Sequence, residues 1–153
     1  VDDEDYENLS RYRWFAVPNG NTWYAKRTLR VRGHNKTTLS MHRLILNAGK
    51  EELTDHINHD GLDNRKSNLR LCTPTQNQQN RVTSKGTSPF KGVSWRNRNS
   101  RWQAMIQVNG KLINLRCFDT EEEAASAYNE AAKRYFGEFA SPNGCCINDA
   151  TNL

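Results

Sequence analysis

An aspartate and a histidine stand side by side in the polar stretch of residues 53–81. Asp55 and His56 fall at the end of a predicted strand over residues 53–57. Neighbours on a strand point to opposite faces, so one side chain can hold a metal while the other acts on a water. Asn77, 22 residues beyond Asp55, adds an amide oxygen, and Mg²⁺ prefers oxygen ligands together with several waters. These types suit metal-assisted hydrolysis of a phosphodiester with His56 as general base.

The elements that must position these residues are two short strands, a turn-rich loop and a helix. Residues 69–72 alternate apolar and polar, which predicts the second strand. Thr73 or Thr75 can cap a helix that has Pro74 in its first turn and continues over residues 76–82. So short a segment buries little core but can hold polar side chains in fixed relation. The residue types alone also allow a simpler interpretation, in which they are turn formers and a helix cap.

The run DHINHDGLDNRKSNLRLCTPTQNQQN closely resembles the HNH nuclease motif of phage and bacterial homing endonucleases, which fold it as a ββα-metal unit. The resemblance implies that Asp55 is a metal ligand and His56 the general base. It also implies that Asn68 braces the loop and that Asn77 is the second protein ligand. His59 is a departure, because relatives often have glycine or another small turn residue there. It is interpreted either as a turn residue or as a contact to metal or phosphate. Three further asparagines are interpreted as loop or DNA-contact residues: Asn58, Asn64 and Asn80.

The charge of the chain favours a polyanionic partner. The formal charge of the 153 residues is +5. With the five acids of residues 2–7 left out, 22 basic residues face 12 acidic ones, a formal charge of +10. Such a balance is typical of nucleic-acid-binding proteins, although a merely soluble basic protein is the alternative. A length of 153 residues indicates one or two small domains.

The spacing of the cysteines and the lengths of the apolar segments indicate the cellular compartment of the protein. Cys72, Cys117, Cys145 and Cys146 have no C-x₂-C spacing, so no zinc site is expected. No segment resembles a signal peptide, and no apolar run is long enough for a bilayer. We therefore expect a cytoplasmic protein of a bacterial or phage-infected cell, with reduced thiols. Because Val1 is not an initiator methionine, residues upstream can be missing.

The residues before the motif predict a small α+β scaffold, giving an HNH domain over residues 1–82 with its ββα unit at 53–82. The segments VDDEDYENLSRYRW and MHRLIL resemble the region that precedes the motif in these nucleases. His42 is expected to be a packed structural histidine away from other ligands. Four cations are interpreted either as phosphate contacts or as a solvated basic face: Arg27, Arg30, Arg32 and Lys36. The predicted elements are a helix at 2–12, strands at 13–17, 22–27 and 37–40, and a helix at 41–46.

Residues 83–89 are small and polar and predict a linker, and the residues after them have their own pattern. Strands are predicted at 90–96, 101–108 and 111–118, followed by a helix that Thr120 and Glu123 cap as a capping box and Gly137 ends. This domain spans residues 90–143, and residues 144–153 form a tail. The stripe of the helix that should face the sheet is Ala124, Ala125 or Ala127, Tyr128, Ala131 and Tyr135, and Trp95 should face it from the sheet.

FKGVSWRNRNSRWQAMIQVNGKLINLRCFDTEEEAASAYNEAAKRYFGEFASPN resembles, over its full length, the AP2/ERF DNA-binding domain of plant ethylene-response transcription factors, which also occurs fused to phage HNH nucleases. That family docks its sheet in the major groove. Ser94, Leu112 and Asn114 replace residues that are usually Arg, Arg and Trp, so the plant target sequence does not carry over. The positions that match DNA contacts of the family are Lys91, Ser94, Arg96, Met105, Gln107, Leu112 and Asn114, with Arg98 near another. Further DNA-binding candidates are Arg116, Arg65, Lys66 and Arg70.

Together these features predict an α+β protein with a ββα-metal nuclease domain and a three-stranded antiparallel sheet packed on one helix. The expected function is that of a sequence-targeted homing DNA endonuclease, dependent on Mg²⁺ with Mn²⁺ as an alternative, which leaves a 5′-phosphate and a 3′-hydroxyl. The expected partner is double-stranded DNA, with no membrane and no small-molecule substrate, and the protein is expected to be a monomer or weak dimer. The alternatives are a catalytically silent DNA-binding regulator and an RNA-acting enzyme.

Overall fold

The fold is known from a computed structural model, which describes residues 1–29, 37–81 and 86–144. It contains both helices and antiparallel sheets, which confirms the predicted α+β class. The chain divides into two compact units, residues 1–77 and 78–153. The predictions for Arg30, Arg32, Lys36, Cys145 and Cys146 lie outside the described residues, as do parts of the predicted linker and tail.

The first unit contains two sheets and short helices. Its helices and strands are α1 (Asp3–Ser10), β1 (Phe15–Asn19), β2 (Thr22–Leu29), β3 (Thr37–Ser40), α2 (Met41–Ile45), β4 (Leu53–His56), β5 (Leu69–Cys72) and α3 (Pro74–Asn80), and the division between the units falls within α3. The first three strands form an antiparallel sheet in chain order. A turn at Gly20 and Asn21 joins the first two strands, because Asn19 pairs with Thr22.

The acidic helix α1 is tied to this sheet through aromatic residues. Its three acids in the first turn, Asp3, Glu4 and Asp5, lie where the helix dipole favours negative charge. The Trp14 indole Nε1 donates a hydrogen bond to the Leu9 carbonyl at 2.9 Å. The guanidinium of Arg27 lies 3.6 Å from the centre of the Tyr12 ring. Arg27, one of the cations considered for phosphate contact, is therefore stacked on an aromatic ring in this structure.

The second sheet is the hairpin of β4 and β5, and it carries the Asp-His pair. Asp55 pairs with Arg70 and His56 pairs with Leu69, so each pair of side chains shares one face. The helix after the hairpin begins at Pro74. The Thr73 hydroxyl oxygen accepts a hydrogen bond from the Gln76 backbone at 3.3 Å, and the Gln76 side-chain oxygen accepts one from the Thr73 backbone at 2.8 Å. Thr73 is therefore the cap that the sequence left open between two threonines.

The loop between β4 and β5 lies closely against β2. The backbone N–H of Gly61 donates to the Thr22 hydroxyl oxygen at 2.9 Å. A Cβ atom on Gly61 would lie 2.5 Å from the Trp23 carbonyl oxygen. His59 has a φ of 66°, a left-handed conformation that glycine adopts most readily. The histidine here is therefore held in a less favoured conformation.

The second unit is a three-stranded antiparallel sheet with one long helix. Its elements are β6 (Val93–Arg96), β7 (Arg101–Val108), β8 (Lys111–Phe118) and α4 (Glu121–Phe136). Thr120 and Glu123 form the predicted capping box, and Gly137 follows the last residue of the helix with a φ of 54°. The core lies between sheet and helix, where alanines allow close approach. The buried residues of this core are Val93, Ala104, Ile106, Ala124, Ala125, Tyr128, Ala131, Ala132 and Phe136.

One residue of the predicted core was wrong, and two positions of the sheet have a burial that the sequence did not indicate. Tyr135 is 43% exposed, and Phe136 lies in the core instead, because Phe136 continues the four-residue spacing of the buried Tyr128 and Ala132. Trp95 is exposed on one side and packs edge-on against Trp102, with ring centres 5.2 Å apart. Gln103 lies between Trp102 and Ala104 on β7 and therefore points to the other, polar face of the sheet, yet it is only 3% exposed. The polar face therefore has a buried position near its middle.

We expect a methyl group on Gly61 to lower the free energy of unfolding by about 1–3 kcal/mol, because backbone and the Tyr24 ring must move to admit it. Urea unfolding of Gly61→Ala, followed by tryptophan fluorescence, measures the change. Gly49→Ala is the control in the same unit, since the atoms nearest its Cβ belong to the flexible Glu52 side chain. Equal loss of stability in the two variants would contradict the close approach of the loop to β2.

Candidate functional site

The imidazole of His56 packs against two aromatic rings. It is 5% exposed, and its ring centre is 4.9 Å from that of His42 and 5.5 Å from that of Tyr24. Leu69, its partner across the hairpin, is also buried. The ring plane of His42 is nearly perpendicular to that of His56, at 81°. The imidazole is therefore held from the side of α2 and β2 rather than by the hairpin alone.

His42 is packed as predicted, and it also contacts the site, which the sequence did not indicate. It is buried and contacts the very histidine that the sequence singles out as a base. Its Nδ1 atom is buried without a hydrogen-bond partner within the described ranges. Burial first, and the neighbouring His56 second, lower the pKa of His42 to about 4. His42 is therefore a neutral ring at neutral pH, which adds no charge beside His56.

Asn64 makes the polar contact to His56 that the sequence analysis did not find. Its side chain is 1% exposed, and its Oδ1 lies 3.3 Å from Nε2 of His56. Its Nδ2 donates to the Leu62 carbonyl at 3.0 Å. Nothing in the run Asp63-Asn64-Arg65 separates this asparagine from an ordinary turn former. The contact depends on how the loop folds back over β4, which residue types do not reveal.

The pKa of His56 is lowered, and burial is the largest cause. The hydrogen bond with Asn64 and the charges of Asp55, Asp60 and Asp63 act in the opposite direction. Since the net effect favours the neutral imidazole, His56 has a lone pair available for a proton at neutral pH. A neutral, oriented imidazole is what general-base chemistry requires.

Asp55 lies on the opposite face of β4 and is engaged by Arg70. The Asp55 side chain is buried, and its Oδ2 accepts hydrogen bonds from Arg70 Nε at 3.0 Å and Nη2 at 2.8 Å. The two residues are direct partners across the hairpin. A buried carboxylate needs such a counter-charge, because an unpaired one is costly to desolvate. Arg70, considered for phosphate contact, is therefore occupied with Asp55 in this structure.

Asn68 closes the loop from both ends. Its Oδ1 accepts from the Asn58 backbone N–H at 2.9 Å, and its Nδ2 donates to the Asp63 carbonyl at 2.8 Å. Its own carbonyl accepts from Ile57 N–H at 2.9 Å. One buried side chain thus satisfies backbone groups on two sides of the loop. These contacts are those a bracing residue would make.

The two candidate metal ligands come from the first strand of the hairpin and from the helix that follows it. Asp55 is on β4, and Asn77 is an exposed residue of α3, which follows β5. Within residues 1–29, 37–81 and 86–144, no group of three or more His, Cys, Asp or Glu side chains could hold a metal. A metal bound here would have few protein ligands, one of them a carboxylate and one an amide. Such a set suits a hard cation that keeps most of its waters, and does not suit zinc.

Arg65 and Lys66, both predicted to contact DNA, are paired with acids. Arg65 donates to Asp63 through Nε at 2.7 Å and Nη2 at 2.6 Å. The ammonium of Lys66 lies 2.6 Å from a Glu4 oxygen and 3.4 Å from an Asp5 oxygen. Both cations are about half exposed, and exposed ion pairs contribute little and exchange readily. They remain cations near the loop, but they are not unpaired ones.

On the second unit, the sheet face opposite α4 carries most of the residues that match DNA contacts. Met105 pairs with Asn114, and Gln107 pairs with Leu112, so these four side chains form one patch on adjoining strands. Leu112 is 65% exposed, although it is a large apolar residue. Ser94 and Met105 are half-buried. Three further candidates are exposed: Arg96 on β6, Arg98 in the turn between β6 and β7, and Arg116 on β8.

Lys91 is turned away from that exposed face. Its ammonium donates to the Gln79 carbonyl at 2.6 Å and lies 6.0 Å from the centre of the Tyr128 ring, which belongs to the core. Burial lowers the pKa of Lys91 to about 8. Its backbone N–H and C=O are both bonded to the side chain of Asn143, at 2.6 and 3.1 Å. In this structure Lys91 is part of the framework of the unit rather than of its surface.

The hairpin of β4 and β5, with its buried Asp-His pair and the helix α3 after it, has the element order of the HNH motif. The comparisons agree. The chain is 34% identical over 141 residues to an uncharacterized HNH endonuclease of Acanthamoeba polyphaga mimivirus, which covers 88% of this chain and 68% of that protein. It is 36% identical over 87 residues to protein 3.8 of Escherichia phage T7, covering 56% of this chain and 71% of that protein. The chain belongs to the HNH endonuclease family.

A shorter part of the chain is similar to plant proteins. It is 44% identical over 62 residues to an ethylene-responsive transcription factor of Arabidopsis thaliana, covering 39% of this chain but 14% of that factor. No family model matches the chain. Both resemblances noted in the sequence are thus confirmed. Among the helices in the described part of the chain, none has the length and apolar character that crossing a bilayer requires.

The burial of His42 predicts a loss of stability in acid. Its pKa is about 4 in the folded chain and about 6.5 when unfolded, so the unfolded chain binds a proton first as the pH falls. We expect about 3 kcal/mol of stability, present above pH 6.5, to be lost between pH 6.5 and 4. Urea unfolding at several pH values measures this. In His42→Phe the free energy of unfolding should fall less steeply with decreasing pH. An unchanged dependence on pH would contradict a buried neutral His42.

Proposed function

We propose that this chain is a sequence-targeted DNA endonuclease of homing type, in which His56 is the general base of phosphodiester hydrolysis. The observation that carries the proposal is the pair Asp55 and His56, both buried and facing opposite sides of one strand. Membership of the HNH family makes this pair the natural reaction centre. The neutral state of His56 at neutral pH supports its role as a proton acceptor.

In the proposed reaction, His56 takes a proton from a water that lies in line with the scissile phosphate. The water oxygen then bonds to phosphorus, and the bond from phosphorus to the 3′ oxygen breaks. The products are a 5′-phosphate and a 3′-hydroxyl. Asn68 keeps the loop beside His56 in place through its contacts with Asn58 and Asp63. The aromatic contacts with Tyr24 and His42 restrict rotation of the base.

Asp55 and Asn77 are the proposed protein ligands of a divalent metal, Mg²⁺ with Mn²⁺ as a substitute. The metal would stabilise charge on the phosphate and on the leaving oxygen. The donor types fit a hard cation, and the pairing with Arg70 keeps Asp55 oriented and its charge balanced. Arg70 must then share or release the carboxylate when the metal binds. The positive charge it carries would be well placed to attract a phosphate.

The second unit is proposed to supply DNA affinity and sequence specificity. The patch of Met105, Gln107, Leu112 and Asn114 lies on a sheet that also carries exposed arginines, and it offers polar and apolar groups that can read base edges in a major groove. Lys91 is left out of this surface because of its contacts with Gln79 and Asn143. Arg65 and Lys66 could reach phosphate only by exchanging their present acids for it. The proposed domains are 1–82 and 90–143, joined by a linker at 83–89.

Replacing His56 by alanine is expected to reduce cleavage by about 10²–10⁴-fold and to leave DNA binding unchanged. The measurement is the rate at which a supercoiled plasmid library is nicked or linearised with Mg²⁺, and with EDTA. His59→Gly is the matched control: it also removes an imidazole of the motif, and glycine suits the φ of 66° at that position. The control should cut as the unchanged chain does.

Two outcomes of this assay would contradict the proposal. Cutting by His56→Ala at the original rate would exclude His56 as the base. An intact chain that binds DNA tightly but cuts with neither Mg²⁺ nor Mn²⁺ would support the alternative, a silent DNA-binding regulator.

Replacing Arg96 by alanine is expected to weaken duplex binding by about 1–3 kcal/mol. If Arg96 contacts a phosphate, the slope of the logarithm of the binding constant against the logarithm of the salt concentration should also fall in magnitude by about 1. Fluorescence anisotropy with a labelled duplex over a range of salt concentrations measures both. Lys133→Ala is the control, because it removes the same charge from an exposed position on α4, the helix that packs on the other side of the sheet. Equal losses in Arg96→Ala and Lys133→Ala would exclude a binding surface on the sheet.

A further inference from the structure

The amide of Asn64 has one orientation that satisfies both of its neighbours. Its Nδ2 donates to the Leu62 carbonyl at 3.0 Å, and its Oδ1 faces His56 Nε2 at 3.3 Å. A flipped amide would set Oδ1 against the Leu62 carbonyl, and two acceptors form no hydrogen bond. At 1% exposure no bulk water is at hand to relieve such a mismatch. The Leu62 carbonyl therefore fixes which atom of Asn64 meets the imidazole.

That atom determines the tautomer of His56. An amide oxygen accepts hydrogen bonds and never donates them. The contact at 3.3 Å is therefore a hydrogen bond only when Nε2 carries the hydrogen. A neutral imidazole carries one ring hydrogen, so the lone pair is on Nδ1. We propose that Asn64 is a positioning residue for the reaction, which holds the ring hydrogen of His56 on Nε2 and makes Nδ1 the nitrogen that takes the proton from water.

Rotation of the ring is the other way in which the two nitrogens could exchange roles. Such a rotation must push against the rings of His42 and Tyr24, whose centres lie 4.9 and 5.5 Å from that of His56. It would also leave the buried Asn64 oxygen facing a carbon of the imidazole. The aromatic contacts and the asparagine thus act together: the first restrict the ring plane, and the second selects the nitrogen.

The inference rests on the proposed function and makes its proton transfer specific. The lone pair of Nδ1 forms a bond to a proton of water, and the electrons of that O–H bond form the new bond to phosphorus. The bond from phosphorus to the 3′ oxygen breaks, and its electrons leave with that oxygen. His56 becomes an imidazolium with hydrogens on both nitrogens. Asn64 Oδ1 still accepts from Nε2 in that state, so the contact persists through the transfer.

The proposal is tested by measuring the tautomer of His56 directly. Long-range ¹H–¹⁵N correlation NMR spectra of the protein labelled with ¹⁵N-histidine show which ring nitrogen carries the hydrogen. The spectra are recorded without metal at about pH 9, well above the ordinary pKa of histidine. The His56 signals are assigned by their loss in His56→Gln. We expect the pattern of a hydrogen on Nε2 in the unchanged chain. A pattern with the hydrogen on Nδ1 would overturn the proposal whatever the variants do.

Two variants at Asn64 separate positioning from loop structure. Asn64→Asp loses the donor to the Leu62 carbonyl but keeps an acceptor oxygen beside Nε2, so it should keep the tautomer even where it lowers stability. Asn64→Leu has similar volume but no acceptor, and its His56 should lose the clear preference for hydrogen on Nε2. An unchanged pattern in Asn64→Leu would overturn the role of Asn64. Thermal unfolding reports any loss of structure in either variant.

Single-turnover cleavage supplies the second readout. We expect Asn64→Leu to lower the rate at saturating enzyme by at least about tenfold with little change in DNA affinity, and Asn64→Asp to recover part of that loss. A rate in Asn64→Leu equal to that of the unchanged chain would overturn the proposal. The tautomer is measured on the chain without DNA or metal. If the unchanged chain does not cut DNA, the proposed function is refuted. The position of the ring hydrogen on His56 can still be determined, because the NMR measurement does not require cleavage.

Discussion

The structure of the site depends on one constraint: a two-stranded hairpin cannot bury both of its own faces. Strand β4 turns Asp55 to one face and His56 to the other, yet both side chains are buried. On the Asp55 side the hairpin supplies a partner of its own, because Arg70 reaches across from β5 to the carboxylate. On the His56 side the cover comes from outside the hairpin, from His42 on α2 and Tyr24 on β2. The scaffold before the hairpin is thus part of the site and not only its support.

Burying so many polar groups has a cost that the loop offsets with asparagines. Asn68 bonds to backbone at Asn58 and Asp63, and Asn64 bonds to Leu62 and His56. Asparagine suits this task because one side chain supplies a donor and an acceptor without a charge. A carboxylate in either place would add negative charge beside Asp55 and favour a protonated His56. The network therefore orients the base while leaving it neutral.

The local pattern of the sequence was enough to predict elements whose signals are short-range. The strands 69–72, 101–108 and 111–118 and the capping box of Thr120 have the predicted bounds because alternation and capping are local. The contacts made over long sequence distances could not be read in the same way. His42 meets His56 only because α2 packs beside the hairpin, and Lys91 turns to Gln79 only because its unit folds around Tyr128. Residue types gave no sign of either.

The central claim is that a water activated by His56 attacks the DNA phosphodiester. Its most direct measurement is single-turnover cleavage of plasmid DNA in water enriched in ¹⁸O, with mass spectrometry of the ends. The account predicts one ¹⁸O atom in each new 5′-phosphate and none in the 3′-hydroxyl, because the incoming oxygen joins phosphorus and the bond to the 3′ oxygen breaks. A 3′-phosphate, or a 5′-phosphate without the label, would contradict it.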